Sequence, residues 1–201
     1  MKYLFLLFIF LPVFSFSQIC NGYIDLDTNN VTVVKVWGTH YERGYAAGLL
    51  LADEIKSIYE GYIMPELGSN LSLAKSIIQD GSHISFDSKY ITEAQGMIDG
   101  MQEAGISLPG VDYLDILVAN SFLDIQGLGG MFSNLNMSNG CSSLLSWGQA
   151  TINTELEGEG LISRHLDWSD DAALVNNQVI IVHFPDETDE QPWLMVGFAG
   201  Q

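Results

Sequence analysis

Ser138 to Trp147 read S-N-G-C-S-S-L-L-S-W, which sets Cys141, the second of two cysteines, between a tract of turn formers and the start of an apolar run. A thiol at the first position of a strand, just after a glycine, can attack the carbonyl that precedes it and cut Gly140 from Cys141. The α-amino group so released has a reference pKa of about 7.7 to 8, near enough to neutrality to act as base for its own thiol. One residue then supplies both nucleophile and base. Such a centre needs a carboxylate to orient the ammonium, and a cation or amide donor for the substrate and the developing oxyanion. The stretch S-R-H-L-D-W from Ser163 to Trp168 offers Arg164 and Asp167 on the next expected strand. Consecutive antiparallel strands usually lie side by side, which would bring these groups near Cys141.

The same residues have plainer readings. Cys141 can pair with Cys20 in a disulfide, a common use of an even cysteine count in an exported chain, or it can be a buried inert thiol. Arg164 and Asp167 can be a simple ion pair. Their odd offset also puts them on opposite faces of a flat strand, so both face one site only if the strand ends, bulges or turns near His165 or Leu166. The four histidines are scattered without zinc-ligand spacing, so no metal is expected. G-L-G-G lacks the strand and helix context of a nucleotide loop, so no cofactor is expected either.

Several elements must position these groups. V-T-V-V-K-V from Val31 to Val36 reads as a strand. Thr39 and Glu42 match a capping box, opening a helix in which Tyr45, Leu49, Ala52, Ile55, Tyr59 and Tyr62 recur at helical spacing. Gly44 and Gly48, four apart, admit a second backbone at close range despite their cost in helix propensity. A second helix carries Ile91, Ala94, Ile98 and Met101 and ends near Gly105; a third carries Leu114, Val118, Phe122 and Ile125 on one face. Gly127 to Gly140 has neither period and is rich in turn formers, so an exposed, mobile loop is expected there. After Cys141 the runs S-S-L-L-S-W, G-L-I-S-R-H-L, V-I-I-V-H-F and W-L-M-V-G-F read as short strands. The mature chain thus divides into a helical portion over 18–140 and a sheet portion over 141–201.

Seven Lys and Arg against 25 Asp and Glu give the 201 residues a net charge of -18. That field repels a phosphate backbone and an anionic membrane surface, so nucleic acid is not an expected partner. Residues 1–17 have the basic start, apolar stretch and small-residue end of a secretory signal, cut after Ser17. The apolar stretch falls short of the about 20 residues a spanning helix needs, and charges interrupt every later apolar run, so no membrane span is expected. An extracellular, periplasmic or lysosome-like compartment follows. G-F-A-G-Q breaks off directly after an expected strand, which reads as a truncated piece of a longer protein.

G-T-H-Y-E-R-G-Y-A-A-G, E-A-Q-G-M-I-D-G-M-Q-E-A-G-I, G-C-S-S-L-L-S-W-G-Q-A-T and G-L-I-S-R-H-L-D-W stand in that order. In this order they resemble the acyl-transferase and linear-amide hydrolase branch of the N-terminal-nucleophile superfamily, from about Val36 to the end. That branch includes the penicillin acyl-transferase-like peptidases and is similar to choloylglycine hydrolases and acid ceramidase. The resemblance implies an α+β fold, a four-layer αββα sandwich, with autocleavage at Gly140-Cys141 leaving a helical α-chain and a β-chain that begins with the nucleophile. Cys141 then matches the family's nucleophile, Arg164 its substrate-contacting arginine, and Asp167 the aspartate that orients the new amine. The family's oxyanion-hole asparagine lies further along than Gln201. The expected activity is hydrolysis of a small-molecule N-acyl amide through a thioester, without a cofactor or a metal. The alternatives are acyl transfer to an amine by the same fold, and a non-catalytic secreted module bridged between Cys20 and Cys141.

Overall fold

In the computed structural model, which describes residues 20–28, 31–128 and 140–200, the chain starts with β1 (Gly22–Asp27) and the valine-rich β2 (Thr32–Gly38). They pair antiparallel, with a register shift between Ile24 and Leu26. Branched side chains favour this extended backbone, and Val34 and Val36 are fully buried on its inner side. The signal-like residues and most of the tract between Gly127 and Gly140 lie outside the described residues.

Thr39 ends the strand and caps α1 (His40–Leu50). The capping box is formed: the Thr39 amide donates to Glu42 Oε2 at 2.8 Å, and the Glu42 amide donates to Thr39 Oγ1 at 3.4 Å. Two orphan amides of the first turn are thereby satisfied. The single long helix expected from Tyr45 to Tyr62 is built in pieces. Leu51 leaves the helical region, α2 (Ala52–Ile58) resumes, and one π turn (Tyr59–Ile63) leads into α3 (Met64–Leu67). Next comes α4 (Leu71–Asp80), an element with no counterpart in the sequence reading, closed by Gly81 in the left-handed region at φ 66°. The second expected helix is α5 (Ser88–Glu103), and the third is split at Ser121 into α6 (Tyr113–Asn120) and α7 (Phe122–Gly127).

α1 and α5 pack with their backbones almost touching. A Cβ on Gly44 would lie 2.0 Å from the Glu93 carbonyl oxygen, and one on Gly48 would lie 2.0 Å from that of Met97. Gly96 and Gly100 answer from α5, against the carbonyls of Tyr41 and Tyr45 at 2.3 and 2.1 Å. The approach anticipated for Gly44 and Gly48 is therefore real and reciprocal.

The remaining elements are β3 (Gly140–Ser146), β4 (Leu161–Asp167), α8 (Ala172–Val175), β5 (Gln178–Pro185) and β6 (Trp193–Phe198). All four strands expected after Cys141 are present. A four-stranded sheet has the order β1-β2-β5-β6, with β2 parallel to β5, and β3 and β4 form a separate antiparallel ribbon. The fold is α+β. The helical and sheet portions read from the sequence share one sheet, because β1 and β2 from the first pair with β5 and β6 from the second.

The core lies between the inner face of this sheet, with Val34, Val36, Val179 and Ile181, and the helices, with Ile55, Val118 and Ile125. The opposite face is apolar but bare: Leu26, Trp37, Phe184, Leu194 and Val196 are all exposed. Among the described residues no helix is long and apolar enough to cross a membrane.

Candidate functional site at the end of the β3–β4 ribbon

The ribbon brings the expected site residues to one place along the backbone. Its rungs run Gly140↔Asp167, Cys141↔Leu166, Ser142↔His165 and Ser143↔Arg164, continuing regularly to Ser146↔Leu161. Opposed positions of an antiparallel pair share a face, and faces alternate along each strand. Positions 141 and 164 thus belong to one face, a diagonal step apart, a separation of about 7–8 Å that long side chains can span. Position 167 belongs to the other face, directly across from Gly140. The odd offset of Arg164 and Asp167 is not relieved by a bulge, since β4 keeps its register throughout. The strand runs on through His165 and Leu166 and ends only at Asp167, so the ladder leaves position 167 on the face opposite position 164. The Gly140–Cys141 peptide bond therefore sits between the last two rungs, with Asp167 on one and Leu166 on the next.

The connection between the strands holds this register. Thr151 is buried, and its hydroxyl donates to the Glu159 carbonyl at 2.8 Å. The Gly148 amide donates to the Gly158 carbonyl at 3.0 Å.

Arg164 is exposed on the ribbon and, with Trp168, lines a cavity of about 230 Å³ whose other walls come from α2, the π turn, α6, α7, α8 and β6. Cys20 stands apart as a free, half-buried thiol whose Sγ donates to the Gly22 carbonyl at 3.5 Å. Burial pushes its pKa up, the direction of an unreactive thiol. The bridge between Cys20 and Cys141 is therefore not formed.

A second polar cluster gathers at the start of α1, and sequence reasoning missed it. His40 is buried, with Nδ1 2.5 Å from Glu93 and Nε2 2.9 Å from Glu190. Arg43 is wholly buried and donates to the Gly38 carbonyl at 2.6 Å, to Glu187 at 2.7 Å and to Glu190 at 3.2 Å. Lys89 donates to Glu190 at 2.7 Å. The Lys89 ammonium first, and His40 second, hold Glu190 down to about 2, while burial pushes Glu93 up. His40, Glu187 and Glu190 place ligand-type atoms within 4.8 Å of one another, a spacing that suits a cation. Two protein cations, Arg43 and Lys89, already meet these carboxylates, so the cluster reads as a clasp joining α1 and α5 to the segment after β5. A charged residue among the small apolar residues of α1 was its one signal in the sequence. Its partners lie in P-D-E-T-D-E-Q-P, which looks like a solvated turn.

This chain is similar to the protein named dcd1B of Dictyostelium discoideum, with 25% identity over 187 residues that cover 81% of this chain and 33% of that protein. It is also similar to an uncharacterized protein of Archaeoglobus fulgidus, with 32% identity over 114 residues that cover 52% of this chain and 18% of that protein. The matched part is a third or less of each of these curated relatives. No family model matches the chain, and no solved structure matches it.

Proposed function

We propose that this is the nucleophile-bearing region of an exported cysteine amidase of the N-terminal-nucleophile kind, acting on the C–N bond of linear amides. The observation that carries the reading is the ladder at the ribbon end: the Gly140–Cys141 bond lies against Asp167, with Arg164 a diagonal step from position 141. In the first event the Cys141 thiol adds to the Gly140 carbonyl carbon and displaces its own amide nitrogen, which takes up a proton. Water then hydrolyses the resulting thioester, leaving a carboxylate on Gly140 and a free amine and thiol on Cys141.

In the catalytic cycle this amine accepts the thiol proton as sulfur attacks the substrate carbonyl, and returns it to the departing amine. The acyl group remains as a thioester, and water releases it as a carboxylic acid. Asp167 orients the ammonium form of the terminus from the adjoining rung. Arg164 is the donor that meets the substrate.

Within a four-layer αββα sandwich, α1 and α5 form an outer layer, the four-stranded sheet the next, and the β3–β4 ribbon belongs to the second sheet. The apolar outer face of the four-stranded sheet supports this arrangement, because such a face is stable only when another layer covers it. Mass spectrometry of the full-length protein is expected to show a new terminus at Cys141. The Cys141→Ala protein is expected to stay uncut and to lose amide turnover by about a thousandfold or more. Retained turnover in the alanine protein would overturn the assignment.

A further inference from the structure

The cavity beside Arg164 is a built space with a definite chemistry. Tyr62 and Phe122 stand with ring centroids 5.8 Å apart, and Phe122 and Trp168 with centroids 6.4 Å apart, so an aromatic wall runs from the helices to the end of β4. The π turn forms part of that wall through Tyr62 and Ile63. Its extra residue per turn is a rare feature that often marks a functional site. Gly61, inside this turn, lets α8 close in: a Cβ there would lie 2.9 Å from Ala173 Cβ. That approach helps seat Leu174, which is 2% exposed, in the cavity wall.

Polar groups at the walls are largely engaged with the protein. Asn120 donates to the carbonyls of Ile116 and Gly200 at 3.0 and 2.8 Å, and the Tyr62 hydroxyl meets Trp168 and Ser169. The two charges at the cavity, Arg164 and Asp124, oppose one another in sign. The other side chains at the walls are mostly apolar and aromatic, and the lining includes Arg164 and Trp168, which flank Leu166, the backbone partner of Cys141.

We propose that this cavity binds the acyl half of the amide, and that it selects a compact, uncharged, apolar acyl group over a long lipid chain. The inference rests on the amidase reading above and adds its substrate class. A cavity of about 150 Å³ accepts a benzene ring, so on the same scale this one holds about nine carbons. A longer chain has to leave the pocket or force its walls apart.

The test uses the full-length protein and straight-chain acyl p-nitroanilides from butanoyl to hexadecanoyl. The expected optimum is octanoyl or decanoyl, at least about tenfold above hexadecanoyl in kcat/KM. Ala119→Leu, which adds three carbons at the cavity wall, is expected to move the optimum to acyl groups about three carbons shorter. Phe122→Ala is expected to move it the other way. A rate that climbs through hexadecanoyl, or an Ala119→Leu effect equal at every chain length, would overturn the assignment while leaving the amidase intact. Should no anilide turn over, thermal shift of the Cys141→Ala protein with octanoate decides. A shift that Ala119→Leu removes upholds the cavity without the chemistry, and no shift overturns the cavity as well.

Discussion

The four-stranded sheet and the β3–β4 ribbon draw on the same residue types, yet they stand in opposite energetic positions. In the sheet, Val34, Val36, Val179 and Ile181 are at most 1% exposed beneath helices that interlock through glycines. In the ribbon, Leu144 is 65% exposed, Leu145 55% and Ile162 72%. A two-stranded ribbon on its own is marginal in water. The stability of these residues thus resides in the sheet and its helices, while the residues with candidate chemistry sit on a part that contributes little to it. The difference separates what holds the molecule together from what it is proposed to do.

The contrast breaks most severely at the helix contact. Gly48→Leu pushes a side chain into the Met97 backbone, which has no room to yield. The expected loss exceeds about 4 kcal/mol, read as absence of a cooperative thermal transition by circular dichroism.

The next largest effect concerns pH. His183, stacked on Trp193 with centroids 3.9 Å apart, is held down to about 4 by burial first and by the Arg43 charge second, from an ordinary 6.5. Its neutral form is the folded one, so its contribution is whole above pH 6.5 and is lost as pH falls toward 4, by up to about 3 kcal/mol. His183→Phe keeps the ring stack and is expected to flatten urea-determined stability across that window. Below pH 4.5 both proteins are expected to keep losing stability, because Glu190, held at about 2 by Lys89 and His40, then has to take up a proton.

A matched pair sharpens the comparison further. Ile181→Thr, in the sheet, is expected to cost about 2–3 kcal/mol through lost burial and a stranded hydroxyl. Ile162→Thr, the same change in the ribbon, is expected to stay within about 0.5 kcal/mol. Equal losses in the two would mean that the ribbon is packed far more tightly than its exposure indicates.

Features written in local chemistry were legible from the sequence. Thr39 and Glu42 announce their helix start, the i, i+4 glycines announce a close neighbour, and apolar runs between turn formers announce the strands after Cys141. The adjacency of β3 and β4 was legible too, because consecutive strands tend to pair. β1 was missed because an edge strand that buries little has a weak pattern. The breaks at Leu51 and Ser121 interrupt helices whose apolar period carries straight on, so the period alone conceals them.

Non-local relations left no trace in any window. The parallel pairing of Thr32 with Val179 and the contacts of Arg43 with Glu187 and Glu190 join residues far apart in the chain. At the candidate site the residue types were readable and their register was not. Whether Asp167 would share a face with Arg164 depended on the ladder itself, which stays regular and sets the two positions on opposite faces.

The parallel seam between β2 and β5 has a mechanical consequence. From Thr32↔Val179 to Gly38↔Pro185 it joins strands on either side of residue 140, and His40 and Arg43 reach across to Glu187 and Glu190 beside it. Severing one peptide bond between residues 128 and 141 would leave each fragment holding half of a common sheet. Two polypeptides would then travel as one particle, resolved into separate bands only once a denaturant had unzipped them.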